Sequence, residues 1–442
     1  MSEPLTPDEA AALSWARRRR SLVGGAFGNL VEGYDWLVYS TFSLYFAQVF
    51  FPQSDRTAQL LSAAAVFAVG YIMRPVGAIL FGWFADRRGR KSALMTSVFL
   101  MCAGSLLIAA VPGYASIGIW APVLLVLARM MQGLSMGGEY GASAAYLMEL
   151  APLHRRGFYV SFHYVSLLGG QLLSIVTLVL LQFVLLTPAQ LEEWGWRIPF
   201  VMGALLSLVA VWFRRRMDES PEFERHVRRH PGNPLALFLR HPLAILRVAG
   251  LTVGGTVATN TFSAYVPKFL VNTVGLSKAE STWISAISIV AFMAMQPLVG
   301  AVSDRIGRKP VLVAFGVLGG LLTVPLMYGL GASGSAGEAL VLVLAGLAIT
   351  SCFTALSAVV KAELFPPEVR ALGIGVPYAV IIALLGGTSE YVALRFKQAG
   401  AESGFYYYVA GCILLSLIFY ATLPETRPAP STQPVAGEAN IT

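Results

Sequence analysis

Twelve mostly apolar runs, most of them about twenty residues or longer, follow one another along the chain: roughly 21–50, 59–84, 92–112, 121–149, 158–186, 197–213, 246–273, 281–303, 310–331, 339–363, 371–396 and 404–423. A bilayer core is crossed by roughly 20 residues of α-helix, and lipid admits only helices or closed barrels. A barrel needs alternating strands of about ten residues, which these long unbroken runs do not offer. The chain is expected to be an all-α integral membrane protein with twelve transmembrane helices. Composition agrees, since 13% of its 442 residues are charged and 56% are hydrophobic. A surface facing water needs about 25% charged residues. Soluble enzymes, nucleic-acid binders and disordered chains are excluded.

Basic residues fall unevenly between the loops. Twelve spans place both termini on one side. That side holds 23 of the 32 Lys and Arg, among them Arg17–Arg20, Arg87, Arg88, Arg90, Lys91, Arg214–Arg216, Arg305, Arg308 and Lys309. The opposite loops hold four: Arg56, Arg197, Lys278 and Lys397. The bias places the termini in the cytoplasm and explains the net charge of +8 without a nucleic-acid partner. Arg17–Arg20 before an apolar run looks like the start of a signal peptide, but the run continues to Phe51 through Glu32 and Asp35 with no clear cleavage site. It reads as a first span that stays. Cys102, Cys352 and Cys412 lie inside apolar runs and read as buried thiols. No ATP-binding loop, catalytic triad or metal-ligand cluster appears, so neither enzymatic activity nor a metal or organic cofactor is expected.

The chain repeats itself. Gly82-Trp-Phe-Ala-Asp86-Arg-Arg-Gly-Arg90-Lys91 returns as Gly300-Ala-Val-Ser-Asp304-Arg-Ile-Gly-Arg308-Lys309, an offset of 218 residues. Glu149 and Arg156 return as Glu363 and Arg370 at an offset of 214. Two landmarks in register divide the chain into an N-terminal six-helix bundle, 1–213, a polar cytoplasmic linker, 214–245, and a C-terminal bundle with a short tail, 246–442. The repeated loop charges admit the plain reading of positive-inside loops. Gly and Asp at fixed places suit a tight helix approach and a cap or pair on a facing helix. With Glu219 and Glu425, the residues Asp86, Arg90, Glu149, Arg156, Asp304, Arg308, Glu363 and Arg370 can then form a salt-bridge set closing the cytoplasmic side.

Charges inside the spans carry the functional signal. Spans 3, 6, 9 and 12 hold none between their ends, whereas spans 1, 4, 7 and 10 hold Glu32 and Asp35, Arg129 and Glu139, Lys268, and Lys361 and Glu363. A charge in hydrocarbon costs at least about 2.5–3.5 kcal/mol, so these side chains must face a cavity or a partner. Equivalent helices of each triplet therefore line a central pathway. Glu32, Asp35, Arg74, Arg129 and Glu139 lie deep in their spans. Lys268, Lys361, Glu363, Glu390 and Arg395 lie nearer the ends, where long side chains can anchor by snorkelling.

Deep cations suit an anionic substrate, because a guanidinium holds a carboxylate bidentately and keeps its charge. Arg74, followed by Pro75, is the first choice; pairing with Asp35 or Glu139 is its structural alternative. Arg129 can bind substrate or hold Asp35. A second carboxylate would need Lys361, Lys268 or His163, and the sequence does not choose. For proton coupling, Asp35 beside Arg129 fits best: diverting the arginine to substrate would let the acid take a proton. Glu139, Glu32 and His163 follow. Tyr34, Tyr71, Gln132, Tyr164, Gln171 and Asn260 can supply neutral hydrogen bonds, with core packing an equal alternative for the tyrosines.

The doubled G-x-x-x-D-R-x-G-R-K loop resembles the major facilitator superfamily. Arg74-Pro-x-Gly, Arg129-x-x-Gln-Gly-x-x-x-Gly-Gly-Glu139 and Glu149-Leu-Ala-Pro-x-x-Arg-Arg-Gly resemble its metabolite:H⁺ symporter branch. Gly-Asn-Leu-Val-Glu32, Trp194-Gly-Trp-Arg-Ile-Pro-Phe, Lys361-Ala-Glu-x-Phe-Pro and Glu390-Tyr-Val-Ala-Leu look like its α-ketoglutarate carriers. Gly33-Tyr34-Asp35 departs from the aromatic pair usual there and looks like proton-coupled sugar porters. In those porters the matching Asp–Arg pair acts as a proton switch, Tyr164, Gln171 and Asn260 match substrate-facing places, and Asp218-Glu-Ser-Pro and Pro424-Glu-Thr match a cytoplasmic gate. The resemblance implies two pseudo-symmetric six-helix bundles in a bacterial inner membrane. It implies a monomeric, proton-coupled importer of a small organic anion: α-ketoglutarate or a related dicarboxylate, with citrate, shikimate, betaine or a monocarboxylate as alternatives. A nutrient sensor on the same fold would carry a long folded extension, and a channel would not need the repeated gate.

Overall fold

A computed structural model describes residues 7–52, 56–215 and 233–426. The Asp218-Glu219-Ser-Pro stretch, and with it Glu219's expected place in the gate, lies outside the described residues. Twelve long helices follow in order: α1 (Pro7–Phe50), α2 (Arg56–Arg88), α3 (Arg90–Ala110), α4 (Trp120–Leu150), α5 (Arg156–Leu180), α6 (Ile198–Arg215), α7 (Pro242–Val274), α8 (Lys278–Ile306), α9 (Arg308–Gly331), α10 (Ala336–Glu363), α11 (Pro367–Gln398) and α12 (Ser403–Thr422). Ten are long and apolar enough to cross a bilayer. The other two are α1 and α4, which carry Glu32, Asp35, Arg129 and Glu139.

Local rules set the helix ends. Gly89 and Gly307 turn the chain between α2 and α3 and between α8 and α9 at φ 109° and 104°, backbone that favours glycine. Ser277 and Glu280 form a capping box at the start of α8. α7 passes through π-helical turns at Thr261–Tyr265 and Leu270–Val274, and α11 through one at Ile382–Gly386.

One apolar core lies within the first half, and a larger one fills the second half and runs across the seam to Tyr140, Met148 and Leu168. Phe42, Phe46, Trp196 and Phe200 cluster in the first, and Phe262, Phe315, Phe353 and Leu356 in the second. Large apolar side chains such as Ile72, Phe183, Trp283, Leu298 and Ile418 stay exposed on the outside, as lipid contact requires. Between the halves, α2 packs on α11 and α5 on α8. Those are equivalent pairings: the second helix of one repeat meets the fifth of the other, twice. The repeat read from the loops is thus a pseudo-two-fold of the whole bundle.

Candidate functional site

The cavity between the halves is small, and Arg74, Tyr140, Tyr378 and Ile382 are among its walls. α2 and α4 touch backbone to backbone beside it, because a Cβ on Gly137 would overlap the carbonyl of Arg74. That contact fixes where Arg74 points. Its guanidinium lies 4.0 Å from the ring centre of Trp36 and 4.3 Å from that of Tyr71. Arg74 is 6% exposed, its Nε has no hydrogen-bond partner, and it forms no ion pair among the described residues. The structural alternative, pairing with Asp35 or Glu139, is not what the structure holds.

The opposite half contributes Lys361. A place near a span end suggested an anchor at the membrane surface, but Lys361 is 0% exposed. Its Nζ donates to Ser357 Oγ at 2.7 Å and to Tyr140 Oη at 3.2 Å, and lies 4.1 Å from the ring centre of Tyr378. Tyr140 on α4 and Tyr378 on α11 stack face to face across the halves, 3.7 Å apart and 12° from parallel. They enclose the lysine, so it cannot snorkel. It too makes no ion pair among the described residues. Arg74 and Lys361 therefore stand on opposite halves, both bordering this tyrosine stack, without a carboxylate partner among the described residues.

Asp35 and Arg129 are both fully buried but do not touch in a direct ion pair. Arg129 Nη1 donates to Gln132 Oε1 at 2.6 Å, Gln132 Nε2 to Ser105 Oγ at 2.9 Å, and Ser105 Oγ to Asp35 Oδ1 at 2.8 Å. Ser207 donates to Asp35 Oδ2 at 3.1 Å. Gln132, one turn beyond Arg129 on α4, takes the place expected of the acid. The Arg129 guanidinium rests instead on Trp36, Tyr39 and Phe67, with Nε and Nη2 unpartnered.

Glu139 has a partner that the sequence hid. Arg214, the first of three arginines taken as loop charge, is fully buried and pairs with Glu139 through both terminal nitrogens. Ser97 Oγ donates to the same carboxylate at 2.8 Å. Glu32 accepts from Ser135 Oγ at 3.2 Å and leaves Oε2 without a partner.

The remaining expected residues divide. Tyr71 borders Arg74. Tyr164 packs edge-on against Phe292 on α8, and His163 is buried at Tyr140 with Nδ1 2.6 Å from Asn29 Nδ2. Tyr34 is withdrawn from the cavity, its hydroxyl donating to Pro199 O at 3.2 Å inside the first half's core. Asn260 bonds back to Thr256 O on its own helix, and Gln171 is half-buried on α5. A second cavity, between α7, α8 and α10, holds no charged side chain.

At the end bearing the repeated loops the halves are clamped. Asp86 accepts from the backbone N–H groups of Ala371 and Leu372 at 3.1 and 2.9 Å. Asp304 accepts from those of Gly157 and Phe158, both at 2.8 Å. Each aspartate caps a helix of the other half, as the repeat predicts. Arg90 ties Asp86 at 2.5 Å to Glu149 at 3.2 Å, and Glu149 also accepts from Arg370 at 2.8 Å across the halves. The mirror set is looser: Arg308 holds Asp304 at 2.7 Å but Glu363 at 3.7 Å, with Arg156 near Glu363 and Glu425 accepting from the Arg308 backbone N–H. The eight residues named from the repeated loops lie together at this end.

Comparison with known proteins fits this architecture. The chain is 48% identical over 406 residues to the α-ketoglutarate permease of Escherichia coli K12, covering 92% of this chain and 94% of that one. It is 31% identical over 407 residues to the citrate–proton symporter of Klebsiella pneumoniae, covering 89% of each. Among solved structures, the proton:xylose symporter XylE bound to 6-bromo-6-deoxy-D-glucose superposes with a TM-score of 0.79 at 24% identity, over 94% of this chain and 97% of that one. The sequence signature of the Major Facilitator Superfamily matches residues 26–376 and 248–441. With twelve helices, two pseudo-symmetric bundles and a doubled loop clamp, the chain belongs to the Major Facilitator Superfamily.

Proposed function

We propose that this transporter imports a small dicarboxylate of the α-ketoglutarate class with protons, by alternating access, in a bacterial cytoplasmic membrane with both termini inside. One observation carries the substrate class: two buried cations, Arg74 and Lys361, border one cavity from opposite halves and neither has a carboxylate partner among the described residues. An uncompensated charge at membrane depth is costly, and a dianion offsets both at once. Arg74 grips one carboxylate through its planar fork, and Lys361, with Tyr140 and Ser357, receives the other. A ligand held by both halves draws them together, which is the requirement of alternating access. The name of the permease from Escherichia coli supports the same substrate.

Asp35 is the coupling acid, tied to Arg129 through Gln132 and Ser105. The coupling ion is H⁺, and no organic cofactor or metal takes part. The functional units are 1–213 and 246–442, joined by the cytoplasmic linker 214–245, and one copy suffices. The Asp86 and Asp304 clamps close the cytoplasmic side and part when the cavity opens inward.

Purified protein in proteoliposomes, driven by an inward pH gradient, tests this reading. Uptake of α-ketoglutarate is expected, with strong competition by dicarboxylates of similar length and little by monocarboxylates or betaine. Equal competition by all three overturns the two-cation site.

A further inference from the structure

One indole serves the guanidinium groups of both Arg74 and Arg129. The Arg74 guanidinium carbon lies 4.0 Å from the ring centre of Trp36, and that of Arg129 lies 4.3 Å from it. Tyr71 also borders Arg74, and Tyr39 and Phe67 also border Arg129, but Trp36 is common to both sets. It is 3% exposed and follows Asp35 directly on α1. α2 leaves room for it at Gly70, where a Cβ would press on the indole edge at 2.8 Å and approach Arg129 Nη2 at 3.3 Å.

We propose that Trp36 is the positioning residue that couples the two ligands: by holding Arg74 and Arg129 on one ring, it makes occupancy of the substrate site felt at Asp35. The inference rests on the assignment of Arg74 to substrate and Asp35 to the proton. Two like charges on one indole repel, and both add positive potential around Asp35. An anion bound at Arg74 cancels one of them, so Asp35 keeps a proton more readily. By linkage the proton strengthens substrate binding by the same factor, which is the sign symport needs. The groups facing Asp35 are few. Ser105 and Cys102 stand on α3, Ser207 on α6, and Gln132 and Arg129 on α4, with Tyr34 beside it and Glu32 one turn away on α1. Arg129 is the one charged group among them on another helix, and Trp36 sets its distance from Arg74.

The test measures α-ketoglutarate affinity of the full-length purified protein at alkaline and mildly acidic pH. Wild type is expected to bind about tenfold or more tightly at the acidic value. W36L should keep acidic-pH affinity within a few-fold while that pH dependence falls to about twofold. W36F, which keeps a ring, should recover most of it. G70A crowds the indole, and the Arg129 guanidinium beside it, without removing any charged group; it serves as the second variant should W36L fail to fold, and should flatten the dependence in part. An unaltered pH dependence in W36L, or in G70A where W36L does not fold, overturns the proposal. Equal loss of affinity at both pH values in W36L also overturns it, by making Trp36 a substrate contact. If wild type itself shows no α-ketoglutarate binding or no pH dependence, the underlying functional reading fails, and this inference with it.

Discussion

Arg129 reaches Asp35 through two neutral side chains, Gln132 and Ser105, and not by a direct ion pair. A relay of this kind lets the arginine move without leaving the carboxylate bare, since Ser105 and Ser207 remain on it. Asp35→Asn mimics the protonated acid permanently. It should abolish accumulation driven by a pH gradient while exchange of external for internal substrate persists. Radiolabelled counterflow beside gradient-driven uptake separates the two activities. Concentrative uptake by this variant would move the coupling role to another acid.

Arg74→Lys keeps the charge and loses the fork. The lost charge-assisted hydrogen bond amounts to about 1.5–3 kcal/mol, or roughly ten- to a hundredfold in apparent affinity. Lys361→Gln should weaken α-ketoglutarate by a similar factor but leave monocarboxylate competition nearly as it was, collapsing the discrimination between the two. Inhibition constants for a dicarboxylate and a monocarboxylate of equal length read this out. A parallel loss for both competitors is incompatible with a second carboxylate site.

Glu139 and Arg214 form a buried pair, so removing either partner alone strands a charge. Arg214→Met should cost about 3–5 kcal/mol of stability, and adding Glu139→Gln should recover much of it. Glu32→Gln should be mild, because Glu32 makes no ion pair among the described residues and its one hydrogen bond, from Ser135 Oγ, can be accepted by the amide oxygen. Thermal unfolding in detergent, with uptake measured in parallel, gives the ranking. Loss of coupling in folded Glu32→Gln would make that acid part of the proton path.

Asp86→Asn keeps the shape of the cap and removes its charge. The α11 amides at Ala371 and Leu372 should then exchange hydrogen faster, by about tenfold if the bond weakens by about 1.4 kcal/mol. Asp304→Asn should do the same for Gly157 and Phe158 at the start of α5. Exchange mass spectrometry on peptides covering these helix starts checks both. Cysteines replacing Arg88 or Arg305 should react with an impermeant thiol reagent from the cytoplasmic side alone.

The parts of this molecule readable in advance are those imposed by its solvent and its repeat. Lipid demands long apolar helices, and the doubled Asp-Arg-x-Gly-Arg-Lys loop announced a set of charges between the halves, though not that Glu149 meets Arg370. Residues whose role depends on who packs over them were not readable. Arg214 stands among three arginines at a span end, and only the room left at Gly28 on α1 explains why it folds inward. Lys361 stands two residues from Glu363 and looked like an anchor; Tyr140 and Tyr378, from two other helices, bury it. Ser105 and Ser207 are uncharged residues in apolar spans, and nothing in the chain marks them before the fold brings them onto Asp35. Gln132 was marked by its motif, but not its place between Arg129 and Ser105.

The aspartate clamps carry a consequence for release. Asp86 and Asp304 satisfy the first amides of α11 and α5, the positive ends of two helices. When the halves part, those amides lose the protein's own carboxylates and flank the way out. On the proposed mechanism a departing dianion would pass two vacated anion sites, competing with the very groups that must return to shut the door. A high internal concentration of the transported acid should therefore hold the carrier open inward and slow its reset, making accumulated product a brake on further import.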